Sequence, residues 1–181
     1  TVALSLIGGT LMKLPQMIPL LDEERFYTRN GPAIMAGMIM LYFFLQRPCR
    51  ARVRHALLAG LLGSLLFLNL LPGDSGDTLW LACLHLPFFF WSLAGATFLR
   101  GRWRDLAGRM AYLRFNGELL IYTTMILLGG MVLTGLTLIL FEAIDLDIGE
   151  WYFQVVVIYG ATAAPVVGTL LVDRVTGPRF R

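Results

Sequence analysis

The sequence predicts an all-α integral membrane protein: a bundle of about six transmembrane helices with one amphipathic helix on the cytoplasmic surface. The chain of 181 residues is 57% hydrophobic and 15% charged, whereas soluble domains are about half apolar and about a quarter charged. Its apolar residues form long blocks that short charged connectors separate, which is typical of membrane-spanning helices. The connectors alternate between arginine-rich and carboxylate-rich along the chain, which indicates successive crossings.

The apolar blocks predict six helices in a single transmembrane domain that covers residues 1–181. The first, about residues 2–21, contains Lys13 and two prolines, so we expect it to be kinked or broken. The second, about residues 31–46, has an apolar block shorter than the roughly 20 residues that cross a bilayer. The other four blocks are each long enough to cross, and they cover about residues 53–71, 78–99, 117–141 and 151–172.

The connector after the fourth predicted helix has the pattern of an amphipathic helix. Over about residues 102–114, apolar side chains recur at helical spacing on one face and charged side chains occupy the other. We therefore expect a helix in the plane of the cytoplasmic membrane surface. Its apolar face has Trp103, Leu106, Ala107, Met110 and Leu113, and its charged face has Arg102, Asp105 and Arg109.

The distribution of charge predicts the orientation in the membrane. Basic residues in short connectors stay in the cytoplasm, and six crossings place all the arginine-rich connectors on one side. The opposite connectors are rich in carboxylates and contain Arg25 and Arg29. We expect a multi-pass protein of the bacterial inner membrane with both ends in the cytoplasm. The basic connectors contain Arg47, Arg50, Arg52 and Arg54; Arg100, Arg102, Arg104, Arg109 and Arg114; and Arg174, Arg179 and Arg181.

The chain starts at Thr1 with apolar sequence and has no initiator methionine, basic n-region or small-residue cleavage site there. This start is not typical of a signal peptide, and we expect the chain to be a fragment of a longer protein. The predicted topology puts Cys49 in a cytoplasmic connector and Cys83 in the outer part of a helix. That separation is too large for a disulfide.

Small residues at four-residue spacing predict where helices pack closely. Lipid tails are as apolar as leucine, so helices in a bilayer associate through close contact at small side chains and through hydrogen bonds. We interpret both patterns as packing within the bundle rather than as a dedicated dimer surface. The third helix offers Ala56, Gly60 and Ser64, and the sixth offers Gly160, Ala164 and Gly168.

Ionisable side chains inside the hydrocarbon layer are costly and are candidates for function. Counted along their helices, Lys13 and His85 both lie roughly 13 Å deep in a core of about 30 Å. One hypothesis is a polar site between the first and fourth helices that contains Lys13, His85 and Gln154. The alternative is a structural Lys13 that lies near an interface or bonds to backbone groups freed by the prolines.

Glu118 follows Arg114 by one helical turn at the cytoplasmic end of the fifth predicted helix. The simpler interpretation is a surface ion pair with Arg114, which contributes little to stability. The alternative is an inward-facing carboxyl group that closes a cytoplasmic vestibule.

No recognisable motif supports catalysis or cofactor binding, so we expect neither an enzyme nor a cofactor. The two histidines, His55 and His85, belong to opposite halves of the predicted membrane, which argues against a haem held between them. The sequence has no cysteine and histidine cluster at zinc spacing, no glycine-rich phosphate loop and no nucleophile elbow. We expect no metal and no nucleic acid.

Several sequence motifs from the fourth helix onward resemble one family. They are HLPFFFW from His85, RMAYLRFNGE from Arg109, LLGG from Leu127, GLTLILF from Gly135, EWYFQ from Glu150 and AAPVVG from Ala163. Over roughly residues 53–172 the chain is similar to the bacterial polytopic membrane proteins grouped as domain-of-unknown-function 4153. The resemblance implies a bacterial inner-membrane location and a longer parent protein, and it assigns no catalytic residue.

The leading functional hypothesis is a non-enzymatic membrane domain that docks a partner. We expect its partners to be membrane lipid and either another membrane protein or a second copy of the chain. The close-packing patterns, the amphipathic helix and the short connectors favour this hypothesis. The alternative is a transporter of small solutes or ions with its site around Lys13 and His85.

Overall fold

The structure, a computed structural model, describes residues 1–18, 22–47, 49–71 and 76–176, and in these ranges the chain forms helices and no strands. This confirms the predicted all-helical fold. The helices are α1 (Val2–Met17), α2 (Glu23–Gln46), α3 (Ala51–Leu70), α4 (Gly76–Phe98), α5 (Leu106–Glu142), α6 (Gly149–Tyr152), the π turn (Phe153–Val157) and α7 (Ile158–Thr176). The short helix α6 continues through the π turn into α7.

Among the described residues, four helices are long and apolar enough to cross a membrane: α3, α4, α5, and the continuous helix formed by α6, the π turn and α7. The first helix, α1, has 16 residues, which is short of the roughly 20 that a crossing needs. The second, α2, has 24 residues but begins with charged turns that contain Glu23, Glu24 and Arg25. The coarse prediction is confirmed as an all-helical chain with four candidate membrane crossings.

The second helix begins earlier than predicted, at Glu23 rather than near residue 31. Asp22 caps it, because its side chain accepts a hydrogen bond of 2.9 Å from the backbone N–H of Arg25. Such a cap stabilises a helix start by about 1 kcal/mol, and the carboxylates of the first turn favour the positive end of the helix dipole. The apolar block that begins at Pro32 therefore marks the apolar part of α2 and not its first residue.

The prediction of a separate amphipathic helix over residues 102–114, followed by another over 117–141, is corrected to one helix. The observed α5 contains 37 residues. Asp105 caps it, because its carboxylate accepts a hydrogen bond of 3.1 Å from the N–H of Gly108, so Trp103 precedes the helix. At 1.5 Å per residue, α5 is about 55 Å long, well beyond a hydrocarbon core of about 30 Å.

Three predicted regions lie partly outside the described residues. They are the end of the first predicted helix at residues 19–21, the acidic connector at 72–75 and the basic tail at 177–181. Cys49 and Cys83 both lie among the described residues, and both are free thiols.

The chain forms two compact units. We call Leu14–Leu113 the three-helix unit, and Thr1–Lys13 together with Arg114–Arg181 the terminal unit.

In the three-helix unit, α2, α3 and α4 all pack against one another. Each helix turns a stripe of apolar residues toward the other two, at the spacing that brings side chains to one helical face. The result is a core with little solvent exposure. It contains Ala33, Met40, Leu57, Leu61, Phe90, Leu93, Ala94 and Ala96.

The two ends of the three-helix unit differ in charge. At one end, the Arg47 guanidinium lies 4.4 Å from the centre of the Phe98 ring, and Gly101 lies against Val53. Two arginine-rich connectors therefore share this end. The opposite end, where α2 begins and α3 finishes, contains Asp22 and buried Arg29.

The end of α4 has the hydrogen bonds of a Schellman cap. The N–H of Gly101 donates to the Ala96 carbonyl at 3.0 Å, and the N–H of Arg100 donates to that of Thr97 at 3.1 Å. Arg100 has φ of 54° and Gly101 has φ of 76°. This cap usually places glycine where Arg100 stands, so Arg100 occupies a left-handed conformation that disfavours its side chain.

In the terminal unit, helices meet at a few close contacts. Gly9 of α1 lies directly beneath the Tyr159 ring, and the Thr10 hydroxyl is 3.2 Å from the Tyr159 hydroxyl. A Cβ built on Gly168 of α7 would lie 2.8 Å from the Thr123 Oγ1 of α5. These contacts fix α1 and α5 against α7 at single points.

Candidate functional site

Two residues of the predicted polar site, His85 and Gln154, have hydrogen-bond partners within their own helices. His85 is exposed, and its Nδ1 lies 2.8 Å from the Leu81 carbonyl. Gln154 is also exposed and donates to the Glu150 carboxylate at 3.3 Å. Lys13 is half-buried, and among the described residues no hydrogen bond joins it to Gln154. Lys13 and Gln154 belong to the terminal unit, and His85 belongs to the three-helix unit.

Glu118 does not form the predicted ion pair with Arg114 in the part of the chain that the structure describes. Arg114 is exposed, whereas Glu118 is half-buried. The Glu118 Oε2 atom is buried and has no hydrogen-bond partner among the described residues. The proposal of an inward-facing carboxyl group stays a prediction.

The predicted packing residues of α3 and α7 are only partly covered. In α3, a Cβ on Gly60 would lie 3.4 Å from Leu93 of α4, Ser64 donates to the Leu61 carbonyl of its own helix, and Ala56 is exposed.

In α7, Ala164 is 1% exposed and Gly168 contacts Thr123 of α5. Gly160 has no neighbour within 4 Å of its Cβ position. Of the three predicted packing residues of α7, Ala164 and Gly168 are therefore covered and Gly160 is open.

The apolar stretch of α5 is uncovered. The most apolar 18 residues of α5 include no buried residue, whereas 22% of the corresponding stretch is buried in α4. A Cβ added at any of four α5 glycines would meet nothing within 4 Å; these are Gly117, Gly129, Gly130 and Gly135.

Gly129 lies in a notch on the exposed side of α5. Met125, Val132, Leu133 and Leu136 stand three, four or seven residues away, which places them on the same helical face. All four are more than half exposed. A glycine flanked by large apolar side chains forms a hole that fits a side chain from another helix. We call this set the Gly129 notch.

Arg29 is the feature that sequence analysis missed. It is 4% exposed, and its Nη1 donates to the carbonyls of Leu68 and Leu71, each at 3.0 Å. These acceptors lie at the end of α3, where carbonyls lack helical partners and a positive charge is favoured. Its position in an acidic connector, against the usual distribution of basic residues, was the available signal.

The opposite edge of the Arg29 guanidinium is unsatisfied. Its Nε and Nη2 atoms are buried and have no hydrogen-bond partner among the described residues. A buried donor without an acceptor costs roughly 1–3 kcal/mol, and more when it is charged. Arg29 also lines an open groove of about 250 Å³ at this end of the unit. The groove includes Asp22, Glu24, Arg25 and Trp80.

The described residues contain no group of three or more histidine, cysteine, aspartate or glutamate side chains placed to hold a metal ion. No family model matches the chain, and no curated protein and no solved structure matches it.

Proposed function

We propose that the chain is a non-enzymatic domain of a bacterial inner-membrane protein that docks a transmembrane helix of another membrane protein at the Gly129 notch. The open glycines of α5 are the observation that carries the proposal. Membership in the domain-of-unknown-function 4153 family is part of the same proposal, and the motifs quoted above support it.

Exposure of apolar side chains alone does not argue for docking, because lipid covers them as well as protein does. Glycines are different. Each costs a helix about 0.5–1 kcal/mol relative to alanine, and lipid gains nothing from the missing side chain. Another helix, by contrast, can approach more closely where the side chain is missing, and this close contact stabilises the pair. The glycines of α5 therefore favour a helix as the occupant.

The residues around Gly129 favour a different protein over a second copy. Symmetric close crossing of two copies needs small residues four positions apart. On the exposed face, the positions four before and four after Gly129 are Met125 and Leu133, which are both large. A single large side chain from a different helix fits the notch better.

Six crossings remain part of the proposal. They include α1, which is short, and α2, which is partly polar. The shared end of two arginine-rich connectors in the three-helix unit supports the alternation. Because α5 is longer than the membrane is thick, its first turns lie on the cytoplasmic side. There Leu106, Met110 and Leu113 are exposed apolar residues, and they provide the amphipathic contact with the lipid surface.

The orientation is tested by thiol labelling in intact cells. A variant with Thr78→Cys as its single cysteine reacts with a membrane-impermeant reagent, because the start of α4 faces outward in this topology. A variant that retains Cys49 alone does not react. Labelling of Cys49 from outside contradicts the orientation.

Docking is tested by gentle detergent extraction of the full chain from its native membrane. Wild type migrates on a native gel as a complex larger than the 20.2 kDa chain together with its bound detergent, and mass spectrometry identifies the partner. Gly129→Leu fills the notch and abolishes the complex. Gly63→Leu is the matched control, because Gly63 is exposed on α3 and also has open space at its Cβ, and it leaves the complex intact.

Two results contradict this proposal. If Gly129→Leu retains the complex as well as Gly63→Leu does, the notch is not the docking site. If the complex contains two copies of this chain and nothing else, the occupant is a second copy.

A further inference from the structure

The unsatisfied edge of Arg29 has the geometry of an oxyanion site. In a guanidinium, Nε and Nη2 lie on one edge and present two parallel N–H groups, which bind two oxygens of a phosphate or carboxylate at once. The other nitrogen, Nη1, already bonds to the Leu68 and Leu71 carbonyls. The guanidinium is therefore held by α3 on one side. We call its other edge, formed by Nε and Nη2, the Arg29 fork, and it has no acceptor among the described residues.

The groove beside Arg29 is lined by equal numbers of positive and negative side chains. It contains two guanidinium groups, from Arg25 and Arg29, and two carboxylates, from Asp22 and Glu24. A simple anion is attracted by Arg29 but repelled by the carboxylates. A zwitterion that places an anionic group at Arg29 and a cationic group near the carboxylates satisfies both.

The position of the groove brings phospholipid to it. The groove lies where α2 and α4 begin, and α4 is one of the helices able to cross the membrane. Trp80, which is 75% exposed, lies in its wall, and tryptophan is enriched at the level of lipid headgroups. Because the Nε and Nη2 atoms of Arg29 are buried, a headgroup reaches them only after a neighbouring side chain moves.

We infer that this groove binds the headgroup of a zwitterionic phospholipid that carries a primary ammonium group. The phosphate accepts hydrogen bonds from Nε and Nη2 of Arg29, and the ammonium lies near Asp22 and Glu24. The inference shares the membrane location with the proposed function and does not depend on the docking of a partner.

The test uses the full chain, purified in detergent and stripped of lipid, with native mass spectrometry of the lipid retained. The probes are phosphatidylethanolamine, phosphatidylglycerol, soluble glycerophosphoethanolamine and inorganic phosphate. Wild type retains phosphatidylethanolamine about tenfold better than phosphatidylglycerol, and neither soluble probe displaces it. Arg29→Lys keeps the charge but loses the fork, so retention falls about tenfold. The control Arg52→Gln, an exposed arginine of α3, retains lipid like wild type.

A second variant decides the matter if Arg29→Lys does not fold. Asp22→Asn combined with Glu24→Gln removes both carboxylates, and asparagine caps a helix as well as aspartate does. It reverses the preference toward phosphatidylglycerol. Unchanged retention in folded Arg29→Lys, or an unchanged preference in the double variant, overturns the inference. Displacement of the lipid by inorganic phosphate also overturns it and identifies a site for free phosphate.

Discussion

Glycines at the end of α4 and on the exposed face of α5 have opposite surroundings. In the three-helix unit, Gly95 lies under Tyr112 and Gly101 lies under Val53, so the missing side chains let neighbours approach. In the terminal unit, Gly129 and Gly130 of α5 have nothing within 4 Å of their Cβ positions. The same residue type allows close contacts at the end of α4 and has open space along α5.

Cations differ between the units in the same way. Arg29 of the three-helix unit is buried and donates to two carbonyls. Lys13 of the terminal unit is half-buried, and no other described residue hydrogen-bonds to it. The two cations therefore differ in their contacts: Arg29 donates two hydrogen bonds within its unit, whereas Lys13 has none with the described residues. Substitutions in matched pairs test this difference.

The largest difference in the free energy of unfolding is expected between alanine substitutions of two phenylalanines. Phe43 of α2 is 0% exposed and Phe153 of the terminal unit is 53% exposed. Phe43→Ala lowers the free energy of unfolding by about 3 kcal/mol, at the lower end for a buried phenylalanine because lipid solvates apolar groups nearly as well as the core does. Phe153→Ala changes it by less than about 0.5 kcal/mol. Denaturant titration in micelles measures both, and equal losses show that the units are equally packed.

Two glycine-to-alanine substitutions are expected to change the free energy of unfolding in opposite directions. Alanine gains up to about 1 kcal/mol in a helix over glycine, and Gly129→Ala keeps this gain because its Cβ meets nothing. A Cβ on Gly95 lies 2.7 Å from Tyr112 Cε1, and Tyr112 is held by a 2.7 Å hydrogen bond to the Trp91 carbonyl. Gly95→Ala therefore lowers stability by about 1 kcal/mol net. Thermal unfolding of both variants in detergent compares them, and a stabilised Gly95→Ala contradicts the close contact.

The sequence predicted the long apolar helices well because their signal is local. Block length and hydropathy placed α3 and α4 near their observed ranges without any tertiary information. The start of α2 was wrong because the Asp22 cap, and not hydropathy, sets it. The division of α5 was wrong because the polar stretch from Arg109 to Gly117 continues the helix.

The candidate sites were less predictable because they depend on contacts between helices. Arg29 meets Leu68 and Leu71 across 39 and 42 residues, a pairing that no periodic pattern encodes. The α5 glycines were present in the sequence, but their open surroundings became visible once neighbours were known. Patterns of small residues predict that helices pack closely, but they do not say which of these helix surfaces are covered by other helices of the same chain.

Arg100 offers a smaller test within the three-helix unit. It adopts φ of 54° at the end of α4, where a residue without a side chain avoids strain. Arg100→Gly therefore raises the free energy of unfolding by about 0.5–1 kcal/mol. Ala51→Gly, at the exposed start of α3, is the control for a glycine in ordinary helical conformation, and it lowers stability slightly. Loss of stability in Arg100→Gly shows that its side chain makes a favourable contact larger than the strain.

The smallest effect is expected at Lys13, and it separates docking from transport. Since no described residue pairs with its ammonium group, Lys13→Met removes a charge without breaking a hydrogen bond or ion pair among the described residues. The free energy of unfolding changes by less than about 0.5 kcal/mol, and the native-gel complex persists. A transporter with Lys13 in its path behaves differently, because an ionisable group at mid-depth contacts the solute or balances its charge. Solute flux in proteoliposomes that is lost in Lys13→Met at unchanged expression therefore favours transport over docking, whereas an unchanged variant leaves the open surface of α5 as the functional feature of the terminal unit.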